Sequence, residues 1–201
     1  MVDHWARKIV EAPLRQGAEV LRRRGWRADR LTLLSLAVGL VALPALVAGN
    51  HLLAVLCIAA NRIGDGLDGT LARLEGATDG GAFLDIVSDF VFYGAVVFGF
   101  ALADPLANAL AAAALLTAIL LNGSSFLAFA VFAEKRKIIP AKQPGKGLYY
   151  LGGVAEGTET IAFFLLCCLF PGLFAYFAWI FAGLCLLSGI SRLISGYLLL
   201  R

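Results

Sequence analysis

The chain has 201 residues, of which 60% are apolar and only 15% charged, and its formal net charge is +3. Soluble domains carry roughly 45–50% apolar and about 25% charged residues, so this composition excludes a disordered segment, a nucleic-acid-binding arm and an ordinary soluble enzyme. With a mean hydropathy of +0.84 it predicts an all-α, polytopic membrane protein. A spanning helix needs about 20 apolar residues, so the length allows at most six or seven spans in one lipid-embedded domain.

Residues 1–30 hold eight of the 17 Lys and Arg residues and no apolar stretch of signal-peptide length. From Pro13 to Arg24, Leu14, Ala18 and Leu21 share one helical face while Arg15, Arg22 and Arg23 lie elsewhere on the wheel. Pro13 suits a first helical turn. The segment is expected to be an amphipathic helix on an anionic cytoplasmic leaflet. Residues 31–201 are expected to form a six-helix transmembrane domain. The apolar runs cover 31–49, a stretch from His51 that meets Arg62 and Asp65, Gly81 to Ala103, 105–133, a segment from near Gly147 that carries Glu156 and Glu159, and a last one ending at Leu200. Asn50-His51, Asp104-Pro105 and Pro171-Gly172 are expected turns. Those three turns carry no Lys or Arg, whereas Arg73, the Lys135–Lys146 stretch and Arg201 mark the other ends. By the positive-inside rule this alternation predicts six spans with both termini cytoplasmic. Cys57, Cys167, Cys168 and Cys185 lie in apolar runs without CxxC spacing, which predicts core packing and neither a disulfide framework nor a zinc site. His4 and His51 lack metal-ligating neighbours and are read as structural. Trp5, Trp26, Phe132 and Trp179 are read as packing or interface anchors.

Six of the 14 acidic residues fall between Asp65 and Asp89. Asp65 and Asp68 share a helix face, extended by Asn61 and Ala72, and Gly81, Asp85 and Asp89 form a second stripe at a spacing of four. A short connection makes the two helices antiparallel neighbours, so four carboxylates are expected to converge in a cytoplasm-facing cavity. Carboxylates within a membrane are costly and mark function. Two divalent cations would neutralise four of them, and an all-oxygen donor set suits Mg²⁺ or Mn²⁺. Such a pair fits chemistry on a phosphate or diphosphate. Gly64, Gly66, Gly69, Gly76, Gly80 and Gly81 surround the acids. They predict close approach of backbone to a ligand, with tight packing through small residues as the competing reading.

The run Asp65-Gly66-Leu67-Asp68-Gly69-Thr70-Leu71-Ala72-Arg73, then seven residues, then Gly81-xxx-Asp85-xxx-Asp89, resembles the signature of the CDP-alcohol phosphotransferases, D-xx-D-G-xx-A-R-x(7–8)-G-xxx-D-xxx-D, at every defining position. The resemblance implies a phosphatidyltransferase in which Asp65, Asp68 and Asp85 hold the metals with Asp89 nearby. Asp89 would be the general base that deprotonates an acceptor hydroxyl, and CMP would leave. Gly69, Ala72 and Gly81 would admit the cytidine, and Arg73 would contact the nucleotide or anchor the motif. Asp29 and Thr32 resemble the family's entry to the first span, with Ala28 in place of its usual proline. The implied donor is CDP-diacylglycerol, with a soluble CDP-alcohol and diacylglycerol as the alternative pair. The small alcohol acceptor stays open among the glycerol 3-phosphate, inositol phosphate and serine classes. Arg192, Lys137 and Lys146, with Lys135 and Lys142, could fringe the acceptor; Glu156 and Glu159 could contact a polyol or amine, or could pair with Arg192 and tie two spans together. Asn122-Gly123-Ser124-Ser125 is read as helix-to-helix glue. The resemblance also implies a homodimer in a bacterial inner membrane, without nucleic acid. A divalent-metal transporter is the remaining class, and it is disfavoured because the acids cluster at one end of two spans whose outer halves are apolar.

Overall fold

The structure is a computed structural model and describes residues 3–137 and 155–201, with side chains from residue 11 onward. The side chains of His4 and Trp5, and all of Lys142 and Lys146, fall outside the described residues. No strand occurs among the described residues. The helices are α1 (Asp3–Arg23), α2 (Ala28–Leu40), α3 (Ala42–Val47), α4 (His51–Glu75), α5 (Asp79–Ala103), α6 (Pro105–Lys135), α7 (Gly157–Leu169) and, after a 3₁₀ turn at Pro171–Leu173, α8 (Phe174–Leu200).

Their ends follow from local chemistry. Asn50 Oδ1 accepts the Leu53 N–H at 3.0 Å and starts α4, and Asp104 Oδ1 does the same for Ala107 at 3.1 Å with Pro105 in the first turn of α6. Thr78 Oγ1 accepts the Gly81 N–H at 3.1 Å at the start of α5. Helix α4 stops at Gly76, whose φ of 96° suits a residue without a Cβ. The expected turns at Asn50, Asp104 and Pro171 are therefore all helix boundaries.

Four stretches are long and apolar enough to cross a bilayer: Ala28–Val47 (α2 with α3), Asp79–Ala103, Pro105–Lys135 and Pro171–Leu200. Their outward faces are apolar, with Leu110, Leu120, Trp179, Ile180 and Leu187 all exposed. The chain is thus an integral membrane protein. The other two expected spans differ from this pattern for visible reasons. Helix α4 has 25 residues, but its second half carries Arg62, Asp65, Asp68, Arg73 and Glu75. The described part of the fifth segment, α7, has only 13 residues; its expected start near Gly147 lies outside the described residues.

The chain divides into two compact units, Met1–Ala103 with Phe164–Pro171, and Asp104–Phe163 with Gly172–Arg201. In the first unit α2 packs against both α4 and α5, and α1 packs along α4. Helix α1 begins at Asp3, so Pro13 sits in its interior and not in its first turn. Its expected apolar face is covered by protein: Ala18 is fully buried, and Leu14 and Leu21 are half-buried, while Arg15, Arg22 and Arg23 are exposed. A Cβ on Gly17 would come within 2.8 Å of Leu67, and one on Gly66 within 3.0 Å of Leu14. Helices α2 and α4 touch at Gly64, where an added Cβ would overlap the Ser35 hydroxyl. Phe92 and Phe164 meet edge to face at 6.2 Å in the core of this unit.

In the second unit α6 pairs with α8. Ala111, Ala112, Ala118 and Gly123 are buried on α6, and Ala178, Ala182, Ser188 and Gly189 on α8, as expected where helices associate without a hydrophobic drive. Arg192, only 6% exposed, donates to the Asn122 carbonyl at 3.0 Å and to Asn122 Oδ1 at 2.8 Å. Its guanidinium lies 5.6 Å from the Phe126 ring centre. Asn122 Nδ2 in turn donates to the Ala155 carbonyl at 3.0 Å, and the Ala155 N–H donates to Ser188 Oγ at 2.9 Å. Asn122 therefore ties α6 to α8 and to Ala155, two residues before α7, whereas Ser124 and Ser125 bond carbonyls within α6 itself. Glu156 interacts electrostatically with Arg192. Glu159 reaches back to accept the Glu156 N–H at 3.2 Å, the reciprocal half of a capping box. Cys57, Cys167, Cys168 and Cys185 are all buried free thiols, as expected of core residues.

Two stability effects are expected. Gly64→Ala should cost about 1–3 kcal/mol by overpacking, and Ser35→Gly in the same chain should recover most of it, because the Ser35 Cα stands 3.7 Å from the new Cβ; thermal unfolding in detergent reads both. Asn122→Leu should cost about 1.5–3 kcal/mol, the value of a hydrogen bond to a charged group. An unfolding midpoint equal to wild type would refute that assignment.

Candidate active site

Helices α4 and α5 carry the signature aspartates on facing stripes. Asp65 and Asp68 are one turn apart on α4, and Asp85 and Asp89 are one turn apart near the start of α5. One carboxylate oxygen from each of Asp65, Asp68 and Asp85 lies within 4.8 Å of the others. Asp68 is the deepest, at 3% exposed. Its Oδ2 is buried with no hydrogen-bond partner. A buried carboxylate oxygen without a partner is costly, and an all-oxygen triad of this span fits a hard divalent ion. The residues present therefore fit the metal that the sequence implies. Thr32 on α2 donates to the Ala28 carbonyl at 3.1 Å and stands beside the Asp68 carboxylate.

The fourth aspartate has a different neighbour. Asp89 Oδ1 lies 2.9 Å from Arg62 Nη2, and Arg62 Nη1 lies 3.6 Å from Asp65 Oδ2. Arg62 also donates from Nε and Nη2 to Asn61 Oδ1, at 2.9 and 2.6 Å. Its guanidinium stands 4.9 Å from the Phe92 ring centre and 5.7 Å from that of Tyr93. Asn61 Nδ2 donates to the Ser35 carbonyl of α2 at 2.8 Å. Gly39 makes room for this arrangement, since a Cβ there would come within 2.8 Å of both Asn61 and Phe92. Arg62 was not singled out as a site residue by sequence reading. The signal is its spacing, three residues before Asp65 on the same helix face, where a cation can offset a carboxylate.

The residues expected around a nucleotide lie in the same unit. Gly81 and Asp29 are neighbours: a Cβ on Gly81 would come 3.1 Å from Asp29 Oδ1. Asp29 is exposed in the first turn of α2. Gly69 faces open space except for Arg73 at 3.7 Å, and Ala72 is half-buried. Arg73 is exposed and donates to Thr70 Oγ1 at 2.9 Å. Glu75 accepts the Ala28 N–H at 3.4 Å, closing the start of α2 onto the end of α4. The six glycines thus separate by role. Gly64 and Gly66 serve helix packing, Gly76 serves a turn, Gly81 sits close against Asp29 and Thr78, and Gly69 and Gly80 have the room that a ligand would need. The expected acceptor residues Arg192, Glu156, Glu159 and Lys137 belong to the second unit, with Lys137 exposed just past α6; Lys146 lies outside the described residues.

The chain resembles known proteins over most of its length. The sequence model of CDP-alcohol phosphatidyltransferase matches residues 26–190. The inner membrane protein YnjF of Escherichia coli (strain K12) is 50% identical over 201 residues, covering 100% of this chain and 98% of that protein. Two crystal structures of Mycobacterium tuberculosis phosphatidylinositol phosphate synthase (PgsA1) share the fold at 22% identity. The one with CDP-DAG bound has a TM-score of 0.74 and covers 92% of this chain and 93% of that one. The one in complex with manganese and citrate has a TM-score of 0.72 and covers 92% and 88%. With the full signature on facing helices and the family matched over most of its length, the chain belongs to the CDP-alcohol phosphatidyltransferases, enzymes that transfer substituted phosphate groups.

Proposed function

We propose that the protein makes phospholipid by moving the phosphatidyl group of CDP-diacylglycerol to a small hydroxyl acceptor, with release of CMP. The observation that carries this reading is the triad Asp65, Asp68 and Asp85, in which the buried Asp68 has an unpartnered Oδ2. The CDP-DAG held by the structurally similar Mycobacterium tuberculosis enzyme supports the choice of donor, and the manganese in its other structure supports a divalent metal. Two Mg²⁺ or Mn²⁺ ions held by Asp65, Asp68, Asp85 and Asp89 would, when bound, polarise the phosphoryl oxygens and stabilise the departing phosphate.

The chain's own residues then have defined tasks. Asp89 takes the proton of the acceptor hydroxyl. The freed oxygen pair forms a bond to the β-phosphorus of the donor, and the bond from that phosphorus to the bridging oxygen breaks. Its electron pair leaves on CMP. Gly69, Ala72 and Gly81 leave backbone open to the cytidine, with Asp29 and Thr32 beside them and Arg73 toward the diphosphate. Arg192, Glu156, Glu159, Lys137 and Lys146 are the candidates for the acceptor side. Arg192 has a structural share in this, because Asn122 holds its guanidinium. The acceptor class is glycerol 3-phosphate, inositol phosphate or serine.

The same reading places six spans across an inner membrane, with α4 as the less apolar one and the segment containing α7 as the one whose described helix is short. Both termini and the aspartates face the cytoplasm, by the distribution of Lys and Arg. The working form is a homodimer.

The test is purified protein with CDP-diacylglycerol, Mg²⁺ or Mn²⁺ and a panel of acceptors, read by CMP release and lipid mass. One acceptor should release CMP in proportion to new lipid, and chelation should abolish it. No CMP from any acceptor would overturn the donor assignment. Asp89→Asn should lower kcat by at least about 10²–10⁴-fold, the share of a general base. Asp68→Asn should remove turnover and metal uptake together, and retained Mn²⁺ uptake would refute its role as a ligand.

A further inference from the structure

Arg62 is used neither by the family signature nor by the chemistry above, yet it is among the most tightly held side chains of the first unit. Asn61 Oδ1 accepts two of its donors, Asp89 and Asp65 take its charge, and the buried Phe92 and Tyr93 rings flank it. A guanidinium in a protein keeps its charge permanently. One of the four acidic positions is therefore already matched by a cation that belongs to the chain. The match is one of charge: Asp89 Oδ1 is buried and receives no hydrogen bond of good angle despite the 2.9 Å approach. An oxygen held this way can exchange one cation for another. The three remaining carboxylates gather without Asp89.

The geometry points to Arg62 as a built-in cation that holds Asp89 and competes with the second divalent ion, so that the acid cluster fills in two steps of unequal affinity. This rests on the metal reading of the proposed function. The first ion enters the Asp65–Asp68–Asp85 triad without displacing any positive charge from Asp89. A second ion on the Asp89 side has to push back, or tolerate, a guanidinium clamped by Asn61 and two rings. Arg62 is thus a positioning residue: it keeps Asp89 at a set place while that side has no metal, and it sets how readily Asp89 becomes a ligand.

The experiment is a titration of the full chain in detergent with MnCl₂, with free aqueous Mn²⁺ read by electron paramagnetic resonance, which needs no turnover. Wild type should take one ion tightly and a second at least about tenfold more weakly, a gap of about 1.4 kcal/mol or more. Arg62→Met should tighten the second step by about tenfold and the first by less, because Asp65 lies farther from the guanidinium, at 3.6 Å, than Asp89 at 2.9 Å. Arg62→Lys keeps a charge but loses the two-donor hold on Asn61, so its second step should fall between the two. It also supplies the reading if the Met variant does not fold. Asp89→Asn should lose the second ion and keep the first. Two equally tight ions in wild type, or a second step in both Arg62 variants within about threefold of wild type, would overturn the inference. A folded chain that takes up no Mn²⁺ would instead overturn the metal reading, and the inference with it.

Discussion

A carboxylate withdrawn from bulk water has to be met by positive charge or by hydrogen bonds, and the first unit is organised around that requirement. Two of the four aspartates on α4 and α5, Asp65 and Asp89, are met by a single arginine, and much of the surrounding packing serves to keep that arginine still. Asn61 holds the guanidinium with its oxygen and the Ser35 carbonyl with its amide, so one side chain joins the charge pair to the α2 backbone. Gly39 and Gly64 let α2 come close enough for that bond to form. The aromatic rings of Phe92 and Tyr93 exclude water from the same spot. Helix packing and electrostatics are therefore one arrangement here, and neither can be altered alone.

The second unit meets the converse requirement. Arg192 is a buried cation in an apolar helix, and its partners are a carbonyl, an amide oxygen and a carboxylate. Asn122 plays there the part that Asn61 plays in the first unit, taking a guanidinium with its oxygen and a backbone carbonyl with its nitrogen. An amide suits both places because it offers donor and acceptor at once and carries no charge of its own to compensate.

Much of this was legible from residue order. The turns at Asn50, Asp104 and Pro171 announce themselves through caps and proline, and the four apolar stretches through length. The aspartate stripes follow from spacings of three and four on helices, and the triad is their direct outcome. Other features were less visible because they depend on partners distant in the chain. Nothing near Gly64 says that it faces Ser35, 29 positions earlier, and nothing near Leu14 says that it will rest on Gly66. The extent of α1 was hidden by Pro13, which reads as a helix start but sits inside one. Arg62 was hidden differently: a lone cation at the edge of an apolar run looks like a boundary marker, and only the facing stripe of α5 shows that it has a partner in Asp89.

The resting place of α1 has a practical meaning. Gly66 and Leu67 occupy the two positions between the first aspartates that the family signature leaves free, yet in this chain they are the seat of Leu14 and Gly17. The signature leaves those positions open, while the seat of α1 fixes them in this chain. A chimera that exchanged the aspartate segment for a relative's would retain every signature residue and still lose the fit against the N-terminal helix. The exchangeable module is the segment together with residues 11–23, and a graft that respects only the signature would cut through the middle of it.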